Sequence, residues 1–155
     1  MRRSTLIAIA LLAAMTASAQ MKVQQTTPRG SSTQVIQPQT APPGTWESAR
    51  RIPREAAILL VKSGKAVFVD VRSFETYSMG HIDGAISIPR SQMMNRFREI
   101  PPGKLIITYC ACVREHTAAL AVVELAQHGV NSAAALAGGW TEWNAARLPT
   151  KSGAN

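Results

Sequence analysis

Short apolar runs alternate with helical patterns over about a hundred residues, and this alternation limits the fold more than any other feature of the chain. The runs are rich in β-branched residues and nearly continuous, as strands are when a parallel sheet buries both of their faces. The predicted strands are Ala66–Val71, Ala85–Ile88, Leu105–Tyr109 and Ala133–Leu136. The predicted helices are a segment from Pro53 to just before Gly64, Phe74–Met79, Gln92–Arg98, a long segment from Glu115 to about Gly129, and Thr141–Ala146. The alternation predicts an α/β fold with a central parallel sheet and helices on both faces.

Residues 1–19 have the pattern of a secretory signal peptide. Arg2 and Arg3 form a basic start, residues 6–14 are apolar, and the small residues at 17–19 form a cleavage site. We therefore expect an exported protein, either periplasmic or secreted. The apolar stretch is shorter than the roughly 20 residues that span a bilayer, so no stable membrane anchor is expected.

Composition divides the remainder of the chain into three parts. Residues 20–45 are dense in Gln, Thr, Ser and Pro, which predicts a flexible linker. Residues 46–150 carry nearly all of the periodic apolar signal and are expected to form one compact domain, followed by a disordered tail at 151–155. The formal charge of +8 is scattered along the sequence. It fits attraction of small anions better than a nucleic-acid partner, which we do not expect.

The chemistry-bearing feature of the domain is a pair of cysteines, Cys110 and Cys112, directly after the predicted strand Leu105–Tyr109. Two cysteines so close together cannot provide a disulfide framework for a small fold. In parallel sheets, ligand sites form at the carboxyl ends of strands. The N–H groups at the start of the following helix favour a thiolate, and the same groups can hold an anion. Position alone leaves open whether these are reactive thiols or small buried hydrophobic residues.

Several motifs in the same order make the stretch from about Arg51 to Pro149 resemble a single rhodanese homology domain. The matching segments are DVR at 70–72, GHIDGAISIP at 80–89, YC at 109–110 and LAGGW at 136–140, followed by Trp143. The resemblance implies the rhodanese-like three-layer fold, with a central parallel sheet and helices on both faces.

The resemblance also indicates which cysteine is the nucleophile. In the common family pattern, the helix after the active loop ends in a glycine at a set distance from the catalytic cysteine. Gly129 stands at that distance from Cys112 and two positions too far from Cys110. The catalytic residue implied by the resemblance is therefore Cys112.

The loop is similar to a branch of the family that reads YCxCPxExxS, in which the second cysteine is catalytic. Glu115 stands at the acid of that pattern. Val113 replaces the proline of the branch, and Ala118 replaces its serine. In phosphatase relatives an arginine stands six positions after the cysteine, where this chain has Ala118, so phosphate-ester hydrolysis is disfavoured.

The resemblance implies a sulfurtransferase that works by double displacement. The Cys112 thiolate would take a sulfane sulfur from a donor such as thiosulfate, hold it as a persulfide and pass it to cyanide or a thiol. The implied partners are a small sulfur-containing anion and a thiol acceptor, with a sulfur carrier or redox protein as a further option. No cofactor is implied. The substrate-binding loop implied by the resemblance consists of Val113, Arg114, Glu115, His116 and Thr117.

Cys110 has two interpretations. It is either a resolving thiol, in a redox switch or a thiol-disulfide activity, or a buried residue at the end of the strand. The two cysteines and His116 lack a fourth ligand at metal-site spacing, so we expect no metal.

The polar residues of the segments DVR and GHIDGAISIP have architectural interpretations. Asp70 and Arg72 are expected to form a buried ion pair, and His81 to hydrogen-bond its own turn. Two classes of function stay open: a sulfurtransferase, and a non-catalytic rhodanese-like binding module that tolerates the loss of Cys112.

Overall fold

The computed structural model describes residues 43–154. The predicted signal peptide at 1–19 lies outside the described residues, as does the predicted linker at 20–45 except for its last three positions. Among the residues described, no helix is long and apolar enough to cross a membrane.

The strands of the described region are short. They are β1 (Arg51–Ile52), β2 (Ala66–Asp70), β3 (His81–Ile82), β4 (Ile86–Ser87), β5 (Leu105–Tyr109), β6 (Ala133–Leu136) and β7 (Thr150–Lys151). Five of them form a parallel sheet in the order β1-β6-β5-β2-β4. The other two, β3 and β7, pair with each other in antiparallel orientation.

The helices connect these strands. They are α1 (Arg54–Lys62), α2 (Phe74–Met79), α3 (Met93–Arg96), α4 (His116–Gln127) and α5 (Gly139–Ala145). Short 3₁₀ turns cover Trp46–Ser48, Arg90–Gln92, Phe97–Glu99 and Val113–Glu115.

Two apolar layers, one on each face of the sheet, hold the domain together. On one face α3 and α4 pack on the sheet, and their buried residues include Met93, Val122 and Leu125. On the other face α1, α2 and α5 contribute Ala57, Tyr77 and Trp143. Burial of this apolar surface is the main favourable term in folding. The predicted α/β fold with helices on both faces of a parallel sheet is confirmed.

The central strands determine the position of the loop that contains both cysteines. Strands β2 and β5 pair in register from Ala66 opposite Leu105 to Asp70 opposite Tyr109, so their carboxyl ends lie side by side. The loop that contains both cysteines begins directly after Tyr109. The helix that follows this loop ends where the glycine predicts. Gly129 lies just after α4 in the left-handed region, with φ of 83°, and its N–H donates to the Ala126 carbonyl at 3.0 Å.

Several predicted boundaries were wrong. The predicted helix Gln92–Arg98 is a short α-helix between two 3₁₀ turns, and the last helix begins at Gly139 instead of Thr141. The residues from 151 were expected to be disordered, yet Lys151 pairs with His81 in the β3–β7 ladder, and the Gly153 N–H donates to the Ser78 carbonyl at 2.8 Å. Backbone hydrogen bonds to distant residues order this segment. Composition alone gives no information about such hydrogen bonds.

Candidate active site

The candidate active site lies at the carboxyl ends of β2, β5 and β6. Hydrogen bonds between connecting segments fix the base of the loop: the Val71 N–H donates to the Tyr109 carbonyl at 3.1 Å, and the Trp140 N–H donates to the Cys110 carbonyl at 2.9 Å. The end of β5 is therefore held from the β2 side and from the start of α5.

The two cysteines are joined by a disulfide bond, with Cα atoms 5.6 Å apart. Cys110 is buried, with 3% of its surface exposed, whereas Cys112 is exposed on the loop. Cys110 is therefore buried at the end of the strand and bonded to Cys112. In this oxidised form Cys112 carries no thiolate, so reduction must precede any nucleophilic chemistry.

The backbone of the loop turns back on Cys112. The Thr117 N–H, in the first turn of α4, donates to Cys112 Sγ at 3.2 Å, and the Glu115 N–H donates to the Cys112 carbonyl at 3.2 Å. Arg114 and Glu115 both adopt left-handed conformations, with φ of 55° and 52°. Such conformations cost free energy for residues with a Cβ and persist where the surroundings hold them. The sulfur of Cys112 thus lies at the N-terminus of α4, where it accepts from an N–H group that has no acceptor within the helix.

Glu115 is held by two partners. Its Oε1 accepts a hydrogen bond from the Gly138 N–H at 2.8 Å, and its Oε2 lies 3.4 Å from Nε of Arg51. The carboxylate therefore connects the active loop to the turn before α5 and to β1. Glu115 was predicted as a substrate-binding residue, and its observed contacts are with the protein.

A tryptophan from outside the predicted loop lies beside it. The Trp46 ring centroid is 4.8 Å from Cζ of Arg114, 5.0 Å from the ring centroid of His116 and 5.7 Å from Cζ of Arg51. Arg51 also donates to the backbone carbonyls of the turn, at Trp46, Glu47 and Ala49. We refer to Trp46, Arg51, Arg114 and His116 as the aromatic-cation cluster.

Sequence reasoning missed Trp46 and Arg51 as members of the site. One available signal was the position of Trp46, a single large apolar residue where the polar composition of 20–45 ends. Of the remaining loop residues predicted to bind substrate, Val113 is 85% exposed and Thr117 is half-buried. The structure brings Cys112 and the Thr117 N–H together, whereas it places the Arg114 guanidinium against Trp46.

Beneath the loop lies a buried ion pair. Asp70 is fully buried, and both of its carboxylate oxygens accept from Arg72, with Nη2 2.5 Å from Oδ2. Arg72 also donates to the Gly80 carbonyl at 2.6 Å, and its Cζ lies 4.6 Å from the centroid of the Trp140 ring. These contacts join the end of β2 to the segment before β3 and to the start of α5.

Three buried rings lie next to this ion pair, those of Tyr77, His81 and Tyr109. His81 is fully buried, with its Nδ1 3.0 Å from the Tyr77 carbonyl and its ring stacked on the ring of Tyr77. The Tyr109 hydroxyl accepts from the Ile82 N–H at 3.1 Å. Burial, together with the charge of Asp70, raises the pKa of Tyr109 far above its ordinary value, so this phenol stays protonated. All of these side chains are buried.

Within residues 43–154, no group of three or more His, Cys, Asp or Glu side chains is placed to hold a metal ion.

The family follows from a direct comparison with known sequences. The family described as "Rhodanese-like domain" matches residues 53–146, which is more than half of the chain. The chain belongs to the rhodanese-like domain family. The match begins after Trp46 and Arg51, so half of the aromatic-cation cluster lies before the matched region.

Alignments with known relatives cover only part of each protein. The chain is 35% identical over 96 residues to an HTH-type transcriptional regulator of Mycobacterium tuberculosis, and 38% identical over 80 residues to an uncharacterized protein of Bacillus subtilis. These alignments cover 60% and 51% of this chain, and 41% and 61% of the respective relatives. This chain thus spans less than two thirds of the length of either relative.

Solved structures agree with the fold. A full-length protein from Lactobacillus plantarum has 25% sequence identity and a TM-score of 0.60, over 66% of this chain and 87% of that one. A thiosulfate sulfurtransferase from Pseudomonas aeruginosa has 26% identity and a TM-score of 0.63, over 70% of this chain and 21% of that protein.

Proposed function

We propose that this protein is a sulfurtransferase that carries a sulfane sulfur as a persulfide on Cys112. The observation that supports the proposal most directly is the hydrogen bond from the Thr117 N–H to Sγ of Cys112, at the N-terminus of the twelve-residue helix α4. A hydrogen-bond donor and a helix N-terminus both stabilise a negatively charged sulfur, in the thiolate and in the persulfide that follows it. Membership of the family and the likeness to a thiosulfate sulfurtransferase agree with this chemistry.

The first half-reaction loads the enzyme. With the disulfide reduced, the Cys112 thiolate attacks the outer sulfur of thiosulfate, the S–S bond of the donor breaks, and sulfite leaves with the bonding electron pair. The new S–S bond joins Cys112 Sγ to the transferred sulfur. Cys112 and Val113 beside it are both exposed residues, which fits a donor that arrives from solution.

The second half-reaction unloads it. Cyanide or a thiolate attacks the outer sulfur of the persulfide, and Cys112 leaves as the thiolate that the Thr117 N–H stabilises. The products are thiocyanate or an acceptor persulfide, and the enzyme returns to its starting form.

The test is an intact-mass measurement on reduced protein treated with thiosulfate and then with cyanide. We use the Cys110→Ala background, in which no second thiol can react with the product; alanine suits this buried position because serine would bury a hydroxyl. We expect the addition of one sulfur atom, which cyanide removes as thiocyanate, and no addition when Cys112→Ser is also present. If Cys110→Ala gains no sulfur while its circular dichroism is native, thiosulfate is not the donor and the binding-module function gains weight.

The disulfide favours a second candidate, a thiol redox protein that uses the Cys110–Cys112 pair. The two functions differ in their need for Cys110. Complete reduction of a disulfide to two thiols requires both cysteines, because Cys112 alone stops at a mixed disulfide after releasing one thiol, whereas sulfur transfer to cyanide requires Cys112 alone. Reduction of oxidised glutathione by stoichiometric reduced protein, compared between the wild type and Cys110→Ala, separates them.

A further inference from the structure

Cys110 is the nucleophilic group that the proposed sulfur transfer does not use. It has 3% of its surface exposed, and it is nevertheless bonded to the sulfur of Cys112. The sequence contains no other cysteine. Cys110 is therefore screened from reagents in solution while remaining within bonding reach of one sulfur, the nucleophile itself.

Formation of the persulfide leaves the sulfurs of Cys110 and Cys112 within bonding distance of each other. In a persulfide on Cys112, the inner sulfur is the same Sγ atom that is bonded to Cys110 in the oxidised form. The backbone of Cys110 is fixed at the end of β5, with its carbonyl held by the Trp140 N–H at 2.9 Å. A reaction between two groups already held together gains rate because their relative freedom has been lost beforehand.

We propose that Cys110 cleaves the Cys112 persulfide and releases the transferred sulfur as hydrosulfide. This inference rests on the proposed function, since it requires the persulfide. The Cys110 sulfur attacks the inner sulfur of Cys112, a Cys110–Cys112 disulfide bond forms, and the bond from Cys112 to the outer sulfur breaks. The outer sulfur leaves with the bonding electron pair and takes up the proton of the Cys110 thiol.

The overall reaction with thiosulfate balances as an oxidation of the dithiol. The two cysteines lose two electrons and two protons, and thiosulfate is converted to sulfite and hydrogen sulfide. A second turnover needs an external dithiol to reduce the disulfide. With such a reductant the protein converts thiosulfate to sulfide, and with a nucleophilic acceptor in excess it transfers the sulfur instead. The fate of the sulfur is then decided by competition between Cys110 and the acceptor.

The experiment is a single turnover without an acceptor. Full-length protein is reduced, freed of reductant under anaerobic conditions and mixed with thiosulfate; released sulfide is measured with monobromobimane, and the protein by intact mass. We expect the wild type to release about one sulfide per chain and to become disulfide-bonded. We expect Cys110→Ala to keep the added sulfur and to release sulfide only when dithiothreitol is added. An incubation without thiosulfate controls for oxidation by residual oxygen.

The outcomes distinguish this inference from the function on which it rests. If the wild type keeps the added sulfur as long as Cys110→Ala does, Cys110 is not a resolving thiol and the inference is overturned, while the sulfurtransferase stands. If neither protein gains or releases sulfur, the sulfurtransferase itself fails with thiosulfate. Release of sulfide by Cys110→Ala at the wild-type rate would assign the cleavage to another group and would also overturn the inference.

Discussion

At the scale of single residues, Glu115 joins the active loop to the rest of the domain. Its carboxylate accepts from the Gly138 N–H and lies beside Arg51, and its side chain is 15% exposed. We expect Glu115→Ala to lower the free energy of unfolding by about 1–3 kcal/mol, because it leaves the Gly138 N–H without its acceptor. Glu115→Gln keeps an oxygen for that N–H and loses only a partly exposed ion pair, a loss of about 0–1 kcal/mol.

Urea unfolding of the two variants measures this difference. Both variants keep a side chain at the left-handed position 115, so the backbone cost is shared and the comparison isolates the acceptor. Equal unfolding free energies for wild type and both variants, together with a raised KM for thiosulfate, would instead assign the carboxylate to substrate binding.

At the scale of elements, the turn Trp46–Ser48 acts on a loop distant in sequence. Trp46 packs against Arg114 and His116, which flank the left-handed Glu115. We expect Trp46→Ala to release Arg114 and to loosen the backbone from 113 to 117, weakening the hydrogen bond from Thr117 to Cys112 Sγ. A thiolate that loses part of a helix-terminus interaction is destabilised, and we expect alkylation of Cys112 by iodoacetamide at neutral pH to slow roughly two- to fivefold.

The matched control for this prediction is Trp46→Phe. Phenylalanine keeps an aromatic face for Arg114 and an edge for His116. Cys112 in the Trp46→Phe variant should therefore be alkylated at nearly the same rate as in the parent protein, Cys110→Ala. Both changes are made in the Cys110→Ala background, where Cys112 is the remaining thiol. Identical rates for Trp46→Ala and the parent would show that the loop holds its conformation without the cluster.

The elements that sequence predicted well and those it missed differ in how local their signals are. Strands β5 and β6 have the predicted bounds, because continuous apolar runs identify buried strands without further information. The two-residue strands β1, β3 and β7 have no such signal, since they exist through pairing with distant segments. The candidate site shows the same difference. Sequence motifs predicted the cysteines and the loop, whereas the contacts of Trp46 and Arg51 with the loop arise from tertiary packing that no local motif indicates.

At the scale of the whole molecule, the C-terminal segment closes back on the middle of the chain. Strand β7 pairs with β3, the Gly153 N–H donates to the Ser78 carbonyl, and Ile82 in β3 donates to the Tyr109 hydroxyl just before the cysteine loop. The last residues of the domain are thus connected through β3 to the base of the candidate active site.

Deleting residues 150–155 tests this connection. The deletion removes the β3–β7 pairing and the bond from Gly153, and we expect it to lower the free energy of unfolding by about 1–3 kcal/mol. Lys151→Ala is the control: it keeps the backbone pairing and loses an exposed ion pair to Asp83, so we expect a change within about 0.5 kcal/mol. Hydrogen exchange at the Ile82 amide should be faster in the deletion variant and unchanged in Lys151→Ala. Without β7, strand β3 has no pairing partner, so the hydrogen bond from Ile82 to the Tyr109 hydroxyl opens more often. Unchanged exchange in a destabilised deletion variant would confine the role of β7 to the surface and leave the base of the loop independent of it.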